Sequence, residues 1–322
     1  MIGSQALRRL ANQIVLLVAI VLAATALTFV ITEVLPGDAA IAILGDTATP
    51  DQIASLRQEL GLERPLVVRY ADWLAHAAQG DLGRSYRTRE SIGVMIAQRL
   101  PVTAELILIT QLMALLLAMP AGILAAYRAR SGIDHALGAL SIALLSTPGF
   151  VIGIGLIYWL SVSAGLFPAS GYNRLSEGLG ANLRSMFLPA LTLALAEFPV
   201  YMRILRADMI ATLQQDFILV ARAKGLAVRD ILIRHALRPS SLSLATVVGI
   251  NLGRLVGGAV IVESLFALPG IGQMMVNAVY QRDNFVIQGV VLVVAVGFVV
   301  INLVVDMMYA VLDPRVRHGL GR

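Results

Sequence analysis

The chain has 322 residues, of which 58% are hydrophobic and only 14% charged, and its mean hydropathy is +0.80. That balance excludes a soluble globular domain and predicts an all-α, polytopic membrane protein, because lipid offers backbone polar groups no partners and forces crossing segments into helices. The net charge of +5 follows from membrane topology and not from nucleic-acid binding. The absence of Cys excludes disulfides, thiolate metal sites and cysteine nucleophiles.

A crossing helix needs about 20 apolar residues, and such runs are predicted at Ala11–Thr32, Val102–Tyr127, Ala136–Ser161, Met186–Leu205, Ser241–Val262 and Phe285–Leu312. The basic residues orient them. With the N-terminus inside, Arg8, Arg9, Arg128, Arg130, Arg203, Arg206, Arg222, Lys224, Arg229, Arg234, Arg238, Arg315, Arg317 and Arg322 all fall on the inner side. The two short outer loops hold only Arg174, Arg184 and Arg282, so both termini are expected in the cytoplasm. Arg8 and Arg9 before an apolar run, with Ala24-Thr25-Ala26 behind, also fit a cleaved signal peptide, although the run continues past that site.

The long outer segment after the first span predicts a small helical cap. Thr49-Pro50 before DQIASLRQEL and Gly61 supplies an N-cap, a proline at the first helical position and a terminating glycine. A second helix is predicted from Pro65 to Gly80, with Val67, Tyr70, Leu74 and Ala77 at helical spacing. GDLGRSY reads as a turn, and ESIGVMIAQRL as a third helix stopped by Pro101. A plain spacer is the alternative. The expected organisation is residues 1–100 as first span plus cap, 101–313 as the remaining transmembrane domain, and 314–322 as a cytoplasmic tail.

Within the spans, Pro148, Pro189 and Pro199 are expected to kink their helices. Gly249, Gly253 and Gly257 form a small-residue stripe that suits close helix packing, within the chain or between subunits. Glu105 falls in the first turn after Pro101, where the helix dipole favours a carboxylate. Glu197, Asn251 and Arg254 are intramembrane polar groups, which are costly without a role. They fit either mutual pairing or the lining of a polar pathway. Asn302 and Asp306 share a face of the last span.

No catalytic or metal-binding constellation is predicted. HExxH and GxSxG are missing, and His76, His135, His235 and His318 lie far apart. A phosphate-binding loop needs GxxxxGK[ST], yet the one lysine, Lys224, precedes glycine in ARAKGLAV. The chain is therefore not itself an ATPase. Acidic or histidine relays of the kind that drive ion-coupled carriers are also absent. A secondary carrier or a membrane scaffold stays as a rival reading.

The segment 206–240 stands apart as basic and amphipathic. Phe217, Ile218 and Ala221 precede Gly225, and Val228, Ile231, Leu232 and Leu237 follow it, among Arg222, Lys224, Arg229, Arg234 and Arg238. Two short helices hinged at Gly225 would present an apolar ridge to a groove on a partner, or rest on anionic lipid.

ARAKGL followed by RHALRP resembles the cytoplasmic coupling segment of ABC-importer permeases of the peptide/nickel branch. FVITEVLPGDAA, GLERPLVVRYADWL, GDLGRS, RLPVTAEL, LFALPGIGQMMVNAVYQRDNFVIQG and INLVVDMMYAVLDPR resemble other parts of the same family, in order along nearly the whole chain. The resemblance implies a type I importer permease fold in a bacterial inner membrane. It implies a second homologous permease, two cytoplasmic ATPases that use ATP and Mg, and an extracytoplasmic solute-binding protein, with no cofactor or metal on this chain. Ala221 and Gly225 occupy the family's Ala and Gly positions, while Leu219 stands where many permeases carry an acidic residue. Ala221, Arg222, Ala223, Lys224, Gly225 and Leu226 are then the docking core, and Asp230 and Arg234 supporting contacts. The solute implied is a di- or oligopeptide, with nickel, glutathione, opines and glycosides as the branch's alternatives.

Overall fold

A computed structural model describes residues 2–34, 41, 44, 48–59 and 61–312, except for side chains at 2–14, 16, 56, 59 and 306–312. The predicted tail at 314–322 and the side chain of Asp306 lie outside what is described. Among the described residues the main helices are α1 (Ile2–Val34), α2 (Pro50–Glu59), α3 (Leu66–Ala78), α4 (Ile92–Tyr127), α5 (Gly132–Ser146), α6 (Gly149–Ser163), α7 (Leu179–Leu213), α8 (Asp216–Ala223), α9 (Val228–Leu265), α10 (Ile271–Gln281) and α11 (Asn284–Leu312). Among the described residues there is no strand, only an isolated bridge between Arg84 and Ser91. Five helices are long and apolar enough to cross a membrane, and six crossings result if α5 and α6 count as one broken span.

The chain forms two compact units. One comprises residues 1–101 with 270–300, the other 102–269 with 301–322.

In the first unit, α2 starts as its sequence dictates. Thr49 N–H donates to Gln52 Oε1 at 3.0 Å, and Gln52 N–H donates to Thr49 Oγ1 at 3.4 Å, a reciprocal capping box. Gly61 at φ +64° closes the helix. The ring of Tyr70 on α3 meets Phe29 of α1 at 5.5 Å, and the Tyr70 hydroxyl lies 2.9 Å from Thr25 Oγ1. In the turn after α3, Ser85 Oγ donates to Asp283 Oδ2 at 2.5 Å, both residues being buried. Ile92, Met95 and Ile96 pack with Ile271, Met274, Val286, Ile287 and Val290 to form the core.

The second unit is built around α7, which is buried on nearly every side. Leu193, Ala194, Phe198, Tyr201, Met202, Leu205 and Met209 line its inner faces. Ala114, Ala118 and Gly122 let α4 come close, and a Cβ at Gly122 would stand 3.1 Å from the Met202 carbonyl.

Prolines act differently from their local preference. Pro101 does not stop a third cap helix, because α4 runs unbroken from Ile92 through it to Tyr127. Pro189 and Pro199 lie inside the continuous α7, both buried. A proline costs a helix about 3 kcal/mol, and burial of the flanking turns on these faces outweighs it. Pro148 does more than kink. Thr147 before it is held extended at φ −100°, ψ 123°, as sterics next to proline require, and α5 and α6 diverge by 105°. In α9 a π-helical stretch at Ile231–Ala236 immediately precedes Leu237 and Pro239, so the ladder is already re-spaced where the proline withdraws a donor.

The glycine stripe on α9 divides by position. A Cβ at Gly249 would come within 2.2 Å of Val305 Cγ1 and 3.1 Å of Val305 Cβ, whereas one at Gly257 meets nothing within 4 Å. Gly249 is therefore an intrachain packing site. Gly249→Ala should destabilise by about 1–3 kcal/mol through overpacking, read as a lower unfolding temperature of the purified protein, with recovery in Gly249→Ala/Val305→Ala. Gly257→Ala should leave that temperature unchanged.

Candidate functional site

The segment between α7 and α9 folds as a short helix, a tight turn and a return. α8 spans Asp216–Ala223, and Lys224 caps it with its N–H on the Val220 carbonyl. Gly225 follows at φ +75°, a left-handed conformation that residues with a Cβ adopt at a cost. Gly225 N–H donates to the Arg222 carbonyl at 2.9 Å and Leu226 N–H to the Ala221 carbonyl at 3.3 Å, closing the end of α8. The chain then enters α9 at Val228, so the return helix is the first part of a crossing helix rather than a separate piece.

Burial sorts the segment's residues. Ile218, Ala221 and Ile231 point inward, at 0%, 5% and 4% exposure, and join the core of α4 and α7. They anchor the segment and do not form part of an outward ridge, which corrects the expected apolar face. The exposed apolar residues are Phe217, Leu219, Val220, Leu226, Val228 and Ile233. Leu219, at the position expected to differ from the family, is among them. Arg222, Ala223, Lys224, Gly225 and Leu226 are all exposed, and a Cβ at Gly225 would meet nothing within 4 Å. Asp230 and Arg234 pair with each other at 3.7 Å across one helical turn, both substantially exposed.

Two polar pins hold the segment's ends. Thr212 Oγ1 and Ser240 Oγ lie 2.9 Å apart, joining the end of α7 to α9. Higher on α7, Arg206 grips Asp134 of α5 through Nε to Oδ1 at 2.5 Å and Nη2 to Oδ2 at 2.7 Å. Asp134 is 7% exposed, and its Oδ2 also accepts the Arg130 N–H at 2.8 Å. The motif Ser131-Gly-Ile-Asp134 is a readable helix start, and Ser131 Oγ accepts the Asp134 N–H. Sequence reasoning missed the Arg206 partner, since nothing local relates residues 72 apart.

The intramembrane polar residues do meet. Asn251 Nδ2 donates to Glu197 Oε2 at 2.5 Å, and Arg254 Nη1 donates to Asn251 Oδ1 at 3.5 Å. Glu197 and Asn251 are 7% and 3% exposed, while Arg254 is exposed on α9. Tyr201 extends the cluster by donating to Gln111 Oε1 at 3.1 Å, a contact that no short-range pattern signals. Glu105 accepts a bond from the Tyr172 hydroxyl at 2.8 Å, in keeping with a structural role.

Residues 118–318 match the family model of the binding-protein-dependent transport system inner membrane component, and residues 5–107 match the N-terminal model of such membrane components. The chain belongs to this family. It is thus a permease subunit of an ABC import system in the inner membrane, and not an enzyme. A putative peptide transport system permease of Brucella abortus is 40% identical over 294 residues, covering 91% of this chain and 93% of that protein. The oligopeptide transport system permease AppB of Bacillus subtilis is 35% identical over 302 residues, covering 93% and 96%. Among solved structures, an inward-facing crystal form of the MetNI methionine ABC transporter aligns with a TM-score of 0.56 at 16% identity. It covers 68% of this permease and 96% of that chain, a likeness of fold.

Removing either partner of the Asp134–Arg206 pair leaves a charge poorly compensated, and Arg206 is one-third exposed. Asp134→Ala and Arg206→Ala should each cost roughly 2 kcal/mol. The double variant should cost little more than either alone, because the two act as one unit. Thermal unfolding of the four proteins in detergent measures the coupling.

Proposed function

We propose that this permease carries di- or oligopeptides into the cytoplasm, powered by ATP hydrolysis on separate subunits that dock at Arg222–Leu226, the exposed part of the expected Ala221–Leu226 core, with Ala221 anchoring it from within. The observation that carries the reading is the exposed turn at Ala223–Leu226. It projects from anchored neighbours, its glycine is open to any partner, and its apolar residues lie beside Arg222 and Lys224. Aligned relatives named as peptide permeases support the choice of solute. A helix end with exposed apolar and basic groups suits a groove on a second protein. Asp230 and Arg234 flank that groove. The complex comprises this chain, a second homologous permease, two ATPases using ATP and Mg, and an extracytoplasmic binding protein. Both termini and the docking turn face the cytoplasm, and the segment with α2 and α3 forms the outer cap, consistent with the distribution of basic residues. Residues 1–100 serve as entry span and cap, 101–313 as the translocating domain with its coupling segment at 206–240, and 314–322 as the tail.

ATP-driven closure of the docked subunits displaces α8 and the turn, and the spans exchange inward-open and outward-open states. Arg254 marks the path. An arginine exposed in the interior of a crossing helix needs water or a partner in front of it, and Glu197 and Asn251 hold it from behind.

Gly225→Asp adds a side chain where this chain offers no obstacle, at a residue type that tolerates the left-handed region better than most. Insertion and assembly are expected to persist while labelled dipeptide uptake by intact cells falls to background; normal uptake would overturn the docking assignment. Alanine at Glu197, Asn251 and Arg254 together is expected to change uptake rate or peptide preference. Transport indistinguishable from the parent would remove the three from the path.

A further inference from the structure

The docking segment carries more positive charge than its own chain neutralises. Residues 216–238 hold five cations, Arg222, Lys224, Arg229, Arg234 and Arg238, against two carboxylates, Asp216 and Asp230. Asp230 is met by Arg234. Arg222, Lys224, Arg229 and Arg238 are exposed, and none of them forms an ion pair with a described residue. Local electrostatics accounts for part of this pattern only. Arg222 and Lys224 stand at the end of α8, where the helix dipole favours a cation. Arg229 lies in the first turn of α9, where the same dipole disfavours one.

Between these cations the exposed side chains are apolar. Leu219, Val220, Leu226 and Val228 face outward, with Ile218 and Ala221 buried behind them. A surface that covers those four also removes water from the cations beside them, and a desolvated cation is strongly unfavourable without a counter-charge. The occupant therefore combines an apolar floor with carboxylates at its rim. An anionic bilayer is uniformly negative and would repel Asp216, which is exposed at the start of α8. A protein groove sets each charge in its own place.

We infer that the ATPase groove receiving this turn is rimmed by Asp and Glu side chains that meet Arg222, Lys224 and Arg229, so that charge steers the docking and fixes its register. The inference rests on the docking reading above and adds the chemistry of the partner surface.

Lys224 is the one lysine of the chain, which makes the contact chemically addressable. A carbodiimide activates a carboxyl group, and an amine touching that carboxyl forms an amide while the carbodiimide leaves as its urea. In inside-out membrane vesicles carrying the whole complex, Lys224 should be joined to an Asp or Glu of the subunit that contains the phosphate-binding loop. Lys224→Arg keeps the charge, removes the amine and should lose the product. On that background Arg222→Lys and Arg229→Lys move the amine to the other two positions, and at least one should restore an amide to the same subunit. Gln at all three exposed positions should weaken ATPase retention on the purified permease at low salt and abolish its salt dependence. No amide to the ATPase from any of the three positions, or retention indifferent to both salt and the Gln substitutions, would overturn the acidic rim. So would a charge effect seen in vesicles containing phosphatidylglycerol and lost in phosphatidylcholine alone, which would assign the cations to lipid. Uptake by Gly225→Asp is scored separately. Uptake abolished with no amide formed removes the acidic rim and keeps the docking turn; an amide formed beside normal uptake keeps the rim and removes the turn's coupling role.

Discussion

Lipid cannot hydrogen-bond a backbone, and most features of this permease answer to that constraint. Each crossing segment must close its own ladder, so helices persist even where sequence argues against them. α7 passes through Pro189 and Pro199, and α4 through Pro101, because leaving the helix would expose more unpaired groups than a proline removes. At two breaks in the ladder a proline stands beside the break. Thr147 is forced extended by Pro148, and the π-helical stretch at Ile231–Ala236 sits just ahead of Pro239.

The same medium explains where polar side chains gather. Glu197, Asn251, Tyr201 and Gln111 come from three helices to bond within one cluster, and Thr103 donates to the fully buried Glu263 at 2.6 Å. Such bonds hold helices in register where apolar packing alone permits sliding, and they leave Arg254 as the charged group turned outward. The segment at Asp216–Ala236 follows the opposite logic. There the apolar residues Ile218, Ala221 and Ile231 form the anchor, and the charged residues are the exposed surface.

Legibility in the sequence tracked the range of the interaction concerned. Thr49 and Pro50 announced the start of α2 because a cap and a first-turn proline are read from adjacent residues, and the bonds between Thr49 and Gln52 then complete a capping box. The apolar runs announced the crossings, since burial in lipid needs only length and composition. Ser131 and Asp134 carried a helix-start signal, but Arg206 did not announce itself as a partner. Periodicity indicated that Ile218, Ala221 and Ile231 share an apolar role without indicating whether it faces in or out. Glu197, Asn251 and Arg254 could be singled out as costly, yet only the packing of α7 against α9 brings them within bonding distance.

The turn at Gly225 leads into α9 with no loop between. At 1.5 Å per residue, the 38 residues of Val228–Leu265 make a rod roughly 57 Å long. Such a rod behaves as a strut: force applied at its foot arrives at its head undiminished unless something along it yields. Along it the α-helical spacing changes at the π-helical stretch Ile231–Ala236, within its first turns and close to its foot. For any displacement at that foot, the unbroken length above the π-helical stretch is the lever arm, longer than any single contact along it.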